Sequence, residues 1–220
     1  MIQLSNVSKH YDNLTALRDI NFSVEKGEML FITGPSGSGK TTLLKLIYLA
    51  ERPDEGTINV GDWELNTIKE SNIPLLRRNI GFIFQDFRLL NNKNVFENVA
   101  LALRIRGVDE KGLKVRVFDA LKEVNLRHKS DSYPLALSGG EQQRVVIARA
   151  TVSDPTIILA DEPTGNVDPD TAAGIIRMFK DINAKGTTIL IATHNRDLFM
   201  GSGRRVLKLD MGNLVGEAAG

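Results

Sequence analysis

The chain has 220 residues, enough for one large domain with a sizeable core, and 42% hydrophobic with 25% charged residues is a soluble globular balance. A net charge of +1 gives no electrostatic case for a nucleic-acid or lipid-surface partner, and the absence of cysteine excludes a disulfide framework or a thiolate metal site. No apolar run approaches the roughly 20 residues that span a bilayer, and the first residues lack signal-peptide character, so work at a membrane implies a partner that holds the chain there.

Residues 2–7 and 19–24 alternate apolar and polar side chains, the period of half-buried strands, with a turn expected at Tyr11-Asp12-Asn13. A second turn at 25–28 leads into the apolar run 29–33. Gly34-Pro35-Ser36-Gly37-Ser38-Gly39-Lys40-Thr41-Thr42 follows, and Leu43, Leu44, Leu46 and Ile47 then fall on one face at helical spacing. Strand, glycine-rich loop and helix form the context of a phosphate-binding loop, and GxxxxGK[ST] matches in full. Glycines let such a loop wrap a triphosphate closely, and the helix start adds the positive end of its dipole. Lys40 is placed for the β- and γ-phosphates and the Thr41 hydroxyl for a Mg²⁺ position.

Residues 52–56 break the pattern before a short strand at 57–60, and the apolar run 80–84 ends at Gln85. From 86 to 132 the character changes. Val95, Val99, Leu101, Ala102 and Leu103 suggest one helix, and Val115, Phe118, Leu121 and Val124 another, with no clear strand between. Residues 156–160 and 187–192 are strand-like and flank a crossover helix marked by Ile175, Ile176, Phe179 and Ile182, with Gly186 at its end. Residues 206–209 and 214–215 flank a turn at 211–213 and close the chain as a hairpin. The expected fold class is α/β in one domain, a mixed and mainly parallel core sheet with an antiparallel β layer. Its core comprises 1–85 and 133–220, with 86–132 inserted as a helical subdomain.

Two further stretches carry chemistry. Asp161 and Glu162 end a buried strand as adjacent carboxylates, and strand geometry sends them to opposite sides. Asp161 can then serve a Mg²⁺ shell while Glu162 orients and deprotonates water; an acidic strand end capping a helix is the plainer reading. Leu137-Ser138-Gly139-Gly140-Glu141-Gln142-Gln143-Arg144 places Ser138 at a helix N-cap, with two glycines baring backbone N–H groups as a second anion site. An ordinary capped helix also fits.

With these motifs in hand, the chain resembles an ATP-binding-cassette (ABC) ATPase of the P-loop NTPase fold over nearly its whole length; LSGGEQQR at 137–144 is similar to that family's signature segment, with the signature motif itself at 137–142. The resemblance implies two cassettes packed head to tail. Ser138, Gly139 and Gly140 of one chain would close on ATP bound by Gly34, Pro35, Ser36, Gly37, Ser38, Gly39, Lys40, Thr41 and Thr42 of the other, giving an ATP-dependent homodimer. It also implies that Tyr11 stacks on adenine, that Gln85 touches Mg²⁺ and water, and that 165–168, ending at Asp168, crosses the interface. Val167 stands where leucine is common. His194 matches the position that contacts the γ-phosphate, so a Mg-dependent ATPase with ATP and Mg²⁺ as cofactors is expected.

Gln85-Asp86-Phe87-Arg88-Leu89-Leu90, Asn94-Val95-Phe96-Glu97-Asn98-Val99 and the DEPTGN run further resemble the family's bacterial cell-division branch. That implies an FtsX-like integral membrane partner, a position on the inner face of the cell membrane, and indirect control of cell-wall hydrolases and the division machinery. The alternative is a lipoprotein- or macrolide-type exporter cassette. One motif set, no coiled-coil insertion and near-zero net charge leave no nucleic-acid partner expected.

Overall fold

The computed structural model describes residues 1–220. The chain runs β1 (Ile2–Tyr11), β2 (Leu14–Val24), β3 (Met29–Thr33), α1 (Lys40–Ile47), β4 (Glu55–Val60), β5 (Trp63–Glu64), α2 (Ile73–Arg78) and β6 (Ile80–Ile83). It continues with α3 (Val95–Ile105), α4 (Glu110–Glu123), α5 (Gly139–Thr151), β7 (Ile157–Asp161), α6 (Pro169–Ala184), β8 (Thr188–Ala192), β9 (Arg205–Asp210) and β10 (Asn213–Ala219). A four-stranded antiparallel sheet has the order β2-β1-β4-β5, and a six-stranded sheet the order β10-β9-β3-β8-β7-β6. In the larger sheet β9, β3, β8, β7 and β6 are parallel, and β10 closes it as an antiparallel hairpin partner of β9.

The alternation of β1 buries Ile2, Leu4 and Val7 and exposes Gln3 and Asn6. Asn6 takes a left-handed φ of 51° at a register shift that returns Val7 to the buried face. The core strands are buried on both faces, as a helix-covered parallel sheet requires. Leu30 and Ile32 pack toward α1 and the antiparallel layer, while Met29 and Phe31 pack toward α3, α4, α5 and α6. The helices of 86–132 therefore share one continuous apolar cluster with α5 and the sheet.

Topology positions the site. The parallel strands end nearly level, with Ile32 paired to Ala192, Asp161 to Ala192, and Ile83 to Ala160. The segments leaving β3, β8, β7 and β6 carry the glycine-rich loop, His194, Asp161-Glu162 and Gln85, so sequence-distant residues reach one edge of the sheet.

Some sequence expectations are corrected. Tyr11 ends β1 and only Asp12-Asn13 forms the turn. Gly56 lies inside β4, where a Cβ would meet Asn6 O at 2.2 Å. Leu101 and Val115 face solvent, because the buried stripes are Val95, Val99, Ala100, Leu103 and Leu113, Val117, Leu121. The short helix α2 carries Pro74 in its first turn and has no long periodic pattern, so it is absent from the sequence reading.

Candidate functional site

The loop between β3 and α1 is shaped by contacts no side chain would allow. Gly34 has φ 153°, and a Cβ there would lie 2.1 Å from Leu209 O; Gly39 has φ 103°, and its Cβ would lie 2.6 Å from Ala16 O. Gly212 N–H donates to Ser38 O at 3.2 Å, so the β9–β10 turn braces the loop. Helices α3, α4, α5 and α6 begin with side-chain caps from Asn94, Asp109, Ser138 and Asp168, whereas Gly39 gives α1 none and no acid sits in its first turn. Its first amides therefore carry the partial positive charge that a phosphate oxygen satisfies.

Lys40 is buried, and its ammonium donates to Gly34 O at 2.8 Å and Pro35 O at 3.1 Å. It also lies 3.7 Å from Glu162 Oε1. Glu162 follows β7 with a left-handed φ of 48°, a conformation that costs a non-glycine residue energy and turns its carboxylate along the sheet edge. There it accepts from the His194 amide at 3.1 and 3.3 Å, and Oε1 lies 2.9 Å from His194 Nδ1. Lys40 and His194 thus both meet at Glu162.

Asp161 is buried and its Oδ1 has no hydrogen-bond partner. Burial pushes its carboxyl up, the Glu162 charge adds to that, and the Thr41 hydroxyl and the Lys40 and Lys45 charges oppose it. A partnerless buried carboxylate oxygen beside a threonine hydroxyl is a donor set that fits Mg²⁺, a hard ion that takes most of its shell from phosphates and water. No group of three or more His, Cys, Asp or Glu side chains is arranged to hold a metal ion.

Tyr11 stands 37% exposed beside the loop. Its hydroxyl donates to Glu51, and Lys45 on α1 holds the other oxygen of that carboxylate at 3.2 Å. Burial and the Glu51 bond push the tyrosine up to about 12, while the Tyr11 and Lys45 hydrogen bonds outweigh burial and hold Glu51 below its ordinary range. Sequence reading missed Glu51, because its partner lies 40 positions away.

The signature segment belongs to a second group. Ser138 is exposed and caps α5, accepting from Glu141 N at 3.3 Å while Glu141 accepts from Ser138 N at 2.9 Å. Lys129 pairs with Glu141 at 2.5 Å, and together these hold the carboxyl down to about 2. A Cβ on Gly139 would lie 3.1 Å from Asn166 O, and one on Gly140 2.7 Å from the Thr171 methyl. Asp168 caps α6 through Thr171, accepting at 2.9 Å from its N–H and 2.6 Å from its hydroxyl, which lowers the aspartate. Asn166 also donates to Gln85 O at 3.3 Å. Ser138, Gly139, Gly140 and Asp168 therefore form one surface, and Gln85 is exposed beside it.

A half-buried arginine and a fully buried asparagine fix the segment after Gln85. Arg149 of α5 donates to Arg88 O at 2.6 Å and Phe87 O at 2.8 Å. Asn98 is fully buried; it accepts from Leu90 N at 2.8 Å and donates to the carbonyls of Leu90, Lys93 and Asn94 at 3.0–3.1 Å.

The ABC transporter family model matches residues 17–165. The chain is 45% identical to the cell division ATP-binding protein FtsE of Streptococcus pneumoniae, over 98% of this chain and 94% of that protein. It is 46% identical to FtsE of Escherichia coli K12, over 98% of both chains. Its fold superposes on the dimeric structure of the bacterial ABC transporter cassette MJ0796 with a TM-score of 0.92 at 35% identity, covering 100% of this chain and 98% of that one. The same cassette is known as a dimer in a post-hydrolysis state bound to ADP and Pi, with a TM-score of 0.92 at 34% identity, again covering 100% and 98%.

Proposed function

The chain belongs to the ABC transporter family, and from that membership we propose that it is the ATP-hydrolysing subunit of a membrane complex acting in bacterial cell division. The observation that carries the catalytic part is the meeting of Lys40, Glu162 and His194 at the ends of three neighbouring strands. Identity of 45–46% along almost the full length supports the cell-division role over a general transport cassette at 35%.

Phosphoryl transfer needs positioning and charge neutralisation more than covalent help. The bare first turn of α1 binds phosphate oxygens, and Lys40 exchanges its loop carbonyls for the β- and γ-phosphates. Glu162, aimed by His194 and by its own backbone, aligns water with the γ-phosphate and accepts its proton. Mg²⁺ held by Thr41 and Asp161, with Gln85 reaching the same shell, would neutralise charge on the phosphate oxygens. Tyr11 stacks on the base. The exposed Ser138, Gly139, Gly140 and Asp168 surface meets the nucleotide of a second copy, so ATP links two chains and its hydrolysis releases them.

No helix is long and apolar enough to cross a membrane. In this proposal an FtsX-like integral membrane protein holds the dimer at the inner face and relays its motion to cell-wall hydrolases. The test is affinity capture from solubilised native membranes, with Glu162→Gln plus ATP as bait and Lys40→Ala as control. Recovery of an FtsX-like protein with a large extracytoplasmic loop supports the proposal, and recovery of an exporter permease overturns the cell-division role.

A further inference from the structure

The chain turns back on itself after α1. Leu49 takes a left-handed φ of 55°, its N–H donates to Leu46 O at 3.0 Å, and the Ala50 N–H donates to Lys45 O at 2.8 Å. That pair of bonds closes a helix on a left-handed residue. The turn delivers residues 51–54 to the end of β1, where Tyr11 stands.

Two carboxylates of that segment hold the strand end. Glu51, fixed to α1 by Lys45, accepts from the Tyr11 hydroxyl, the only bonded hydroxyl among the three tyrosines. Asp54 accepts from the His10 amide at 2.6 Å and from the Lys9 ammonium at 3.1 Å, while its own N–H donates to Ser8 O at 3.0 Å. The His10 amide and then Lys9 hold the Asp54 carboxyl below its ordinary range. Lys9, with its side chain 14% exposed, lies over the Tyr11 ring, 5.5 Å from the centroid. The ring is thus held by its strand, by its hydroxyl and on one face, and the opposite face remains for a partner.

A ring free at a strand end must be ordered when a base stacks on it, and immobilising one side chain costs a factor of about two to ten in affinity. We infer that Glu51 and Asp54 are positioning residues for nucleotide binding: Glu51 ties the Tyr11 hydroxyl to α1, Asp54 holds Lys9 against one face of the ring, and the base takes the other. This rests on the stacking role proposed for Tyr11 and names what sets its geometry. Lys45 lies in α1, the helix whose first turn takes the phosphates, so the base and phosphate sites share one rigid element.

The test is steady-state hydrolysis by the full chain, with inhibition by tripolyphosphate, which carries phosphates and no base, measured beside it. Glu51→Ala, Asp54→Ala and Tyr11→Phe are each expected to raise the KM for ATP about threefold, with the loss in KM rather than kcat. The inhibition constant of tripolyphosphate should stay where it is in the parent. Placed in a Tyr11→Ala background, Glu51→Ala and Asp54→Ala should add nothing to KM, because the ring through which they act is gone. Tyr11→Phe removes the Glu51 bond without touching Glu51, so it guards against a folding defect, and the Tm of each variant is checked. An unchanged KM in the three folded variants overturns the inference. So does an effect that persists in Tyr11→Ala, or a tripolyphosphate constant that shifts as much as KM, since either would place the action on α1 and its loop rather than on the ring. If Tyr11→Ala itself leaves KM unchanged, the stacking role falls and the inference with it, a result distinct from a Tyr11→Ala effect that neither carboxylate shares.

Discussion

Replacing Glu162 with Gln keeps shape and one acceptor for His194 while removing the charge and the capacity to take a proton. Loss of a positioned general base costs about 10²–10⁴ in rate, or about 3–5.5 kcal/mol in the barrier. Binding should move the other way. Glu162 lies 3.7 Å from Lys40, with side chains 10% and 8% exposed. At an effective dielectric near 20 that attraction is about 4 kcal/mol before desolvation is subtracted, and it competes with the triphosphate for the same ammonium. Glu162→Gln is therefore expected to bind ATP at least as tightly as the parent while its kcat falls by at least about a hundredfold. Calorimetric titration gives the affinity, and phosphate release under saturating Mg-ATP gives kcat. A kcat within about threefold of the parent would refute the assignment of Glu162 as base.

Further consequences follow from the named contacts. Tyr11→Ala should raise the KM for ATP about tenfold, the scale of one base–aromatic stack, with kcat little changed; Glu51→Ala should do part of the same and Glu51→Gln less, as steady-state kinetics will show. Glu141 has a folded pKa near 2 against an ordinary 4.5, so its stabilisation is present above about pH 4.5 and is lost as pH falls through 2. Urea unfolding of Glu141→Gln should accordingly show a loss of about 1–2 kcal/mol at pH 7 that shrinks toward pH 2. Asn98→Ala removes the bond accepted from Leu90 N–H and the two amide hydrogens shared among the carbonyls of Leu90, Lys93 and Asn94, a loss of about 3 kcal/mol and a Tm lower by about 8 °C, checked by calorimetry.

The chemistry of the loop was legible in the sequence because it is local: Gly34 to Thr42 are contiguous, and strand and helix flank them. The two carboxylates at the end of β7 were legible for the same reason. What brings His194 to Glu162 is the strand order β3-β8-β7, which no periodicity reports; the family resemblance named His194, and the register places it. Glu51 on Tyr11 and Arg149 on residues 87 and 88 are side-chain contacts across 40 to 62 positions, and they leave no pattern along the chain. The misassigned faces of α3 and α4 have a simpler cause. Leu101 and Val115 are apolar residues in amphipathic helices, and apolarity alone does not say which stripe is buried.

The measurement that reaches furthest is the mass of Glu162→Gln in solution, by sedimentation, with and without Mg-ATP, beside the same protein carrying Ser138→Arg. If ATP bound at Lys40 of one chain is closed by Ser138 of another, Glu162→Gln is monomeric alone and dimeric with ATP, and Ser138→Arg abolishes the dimer while ATP still binds. A protein that stays monomeric at saturating ATP, or dimerises equally with Arg at position 138, contradicts the shared site.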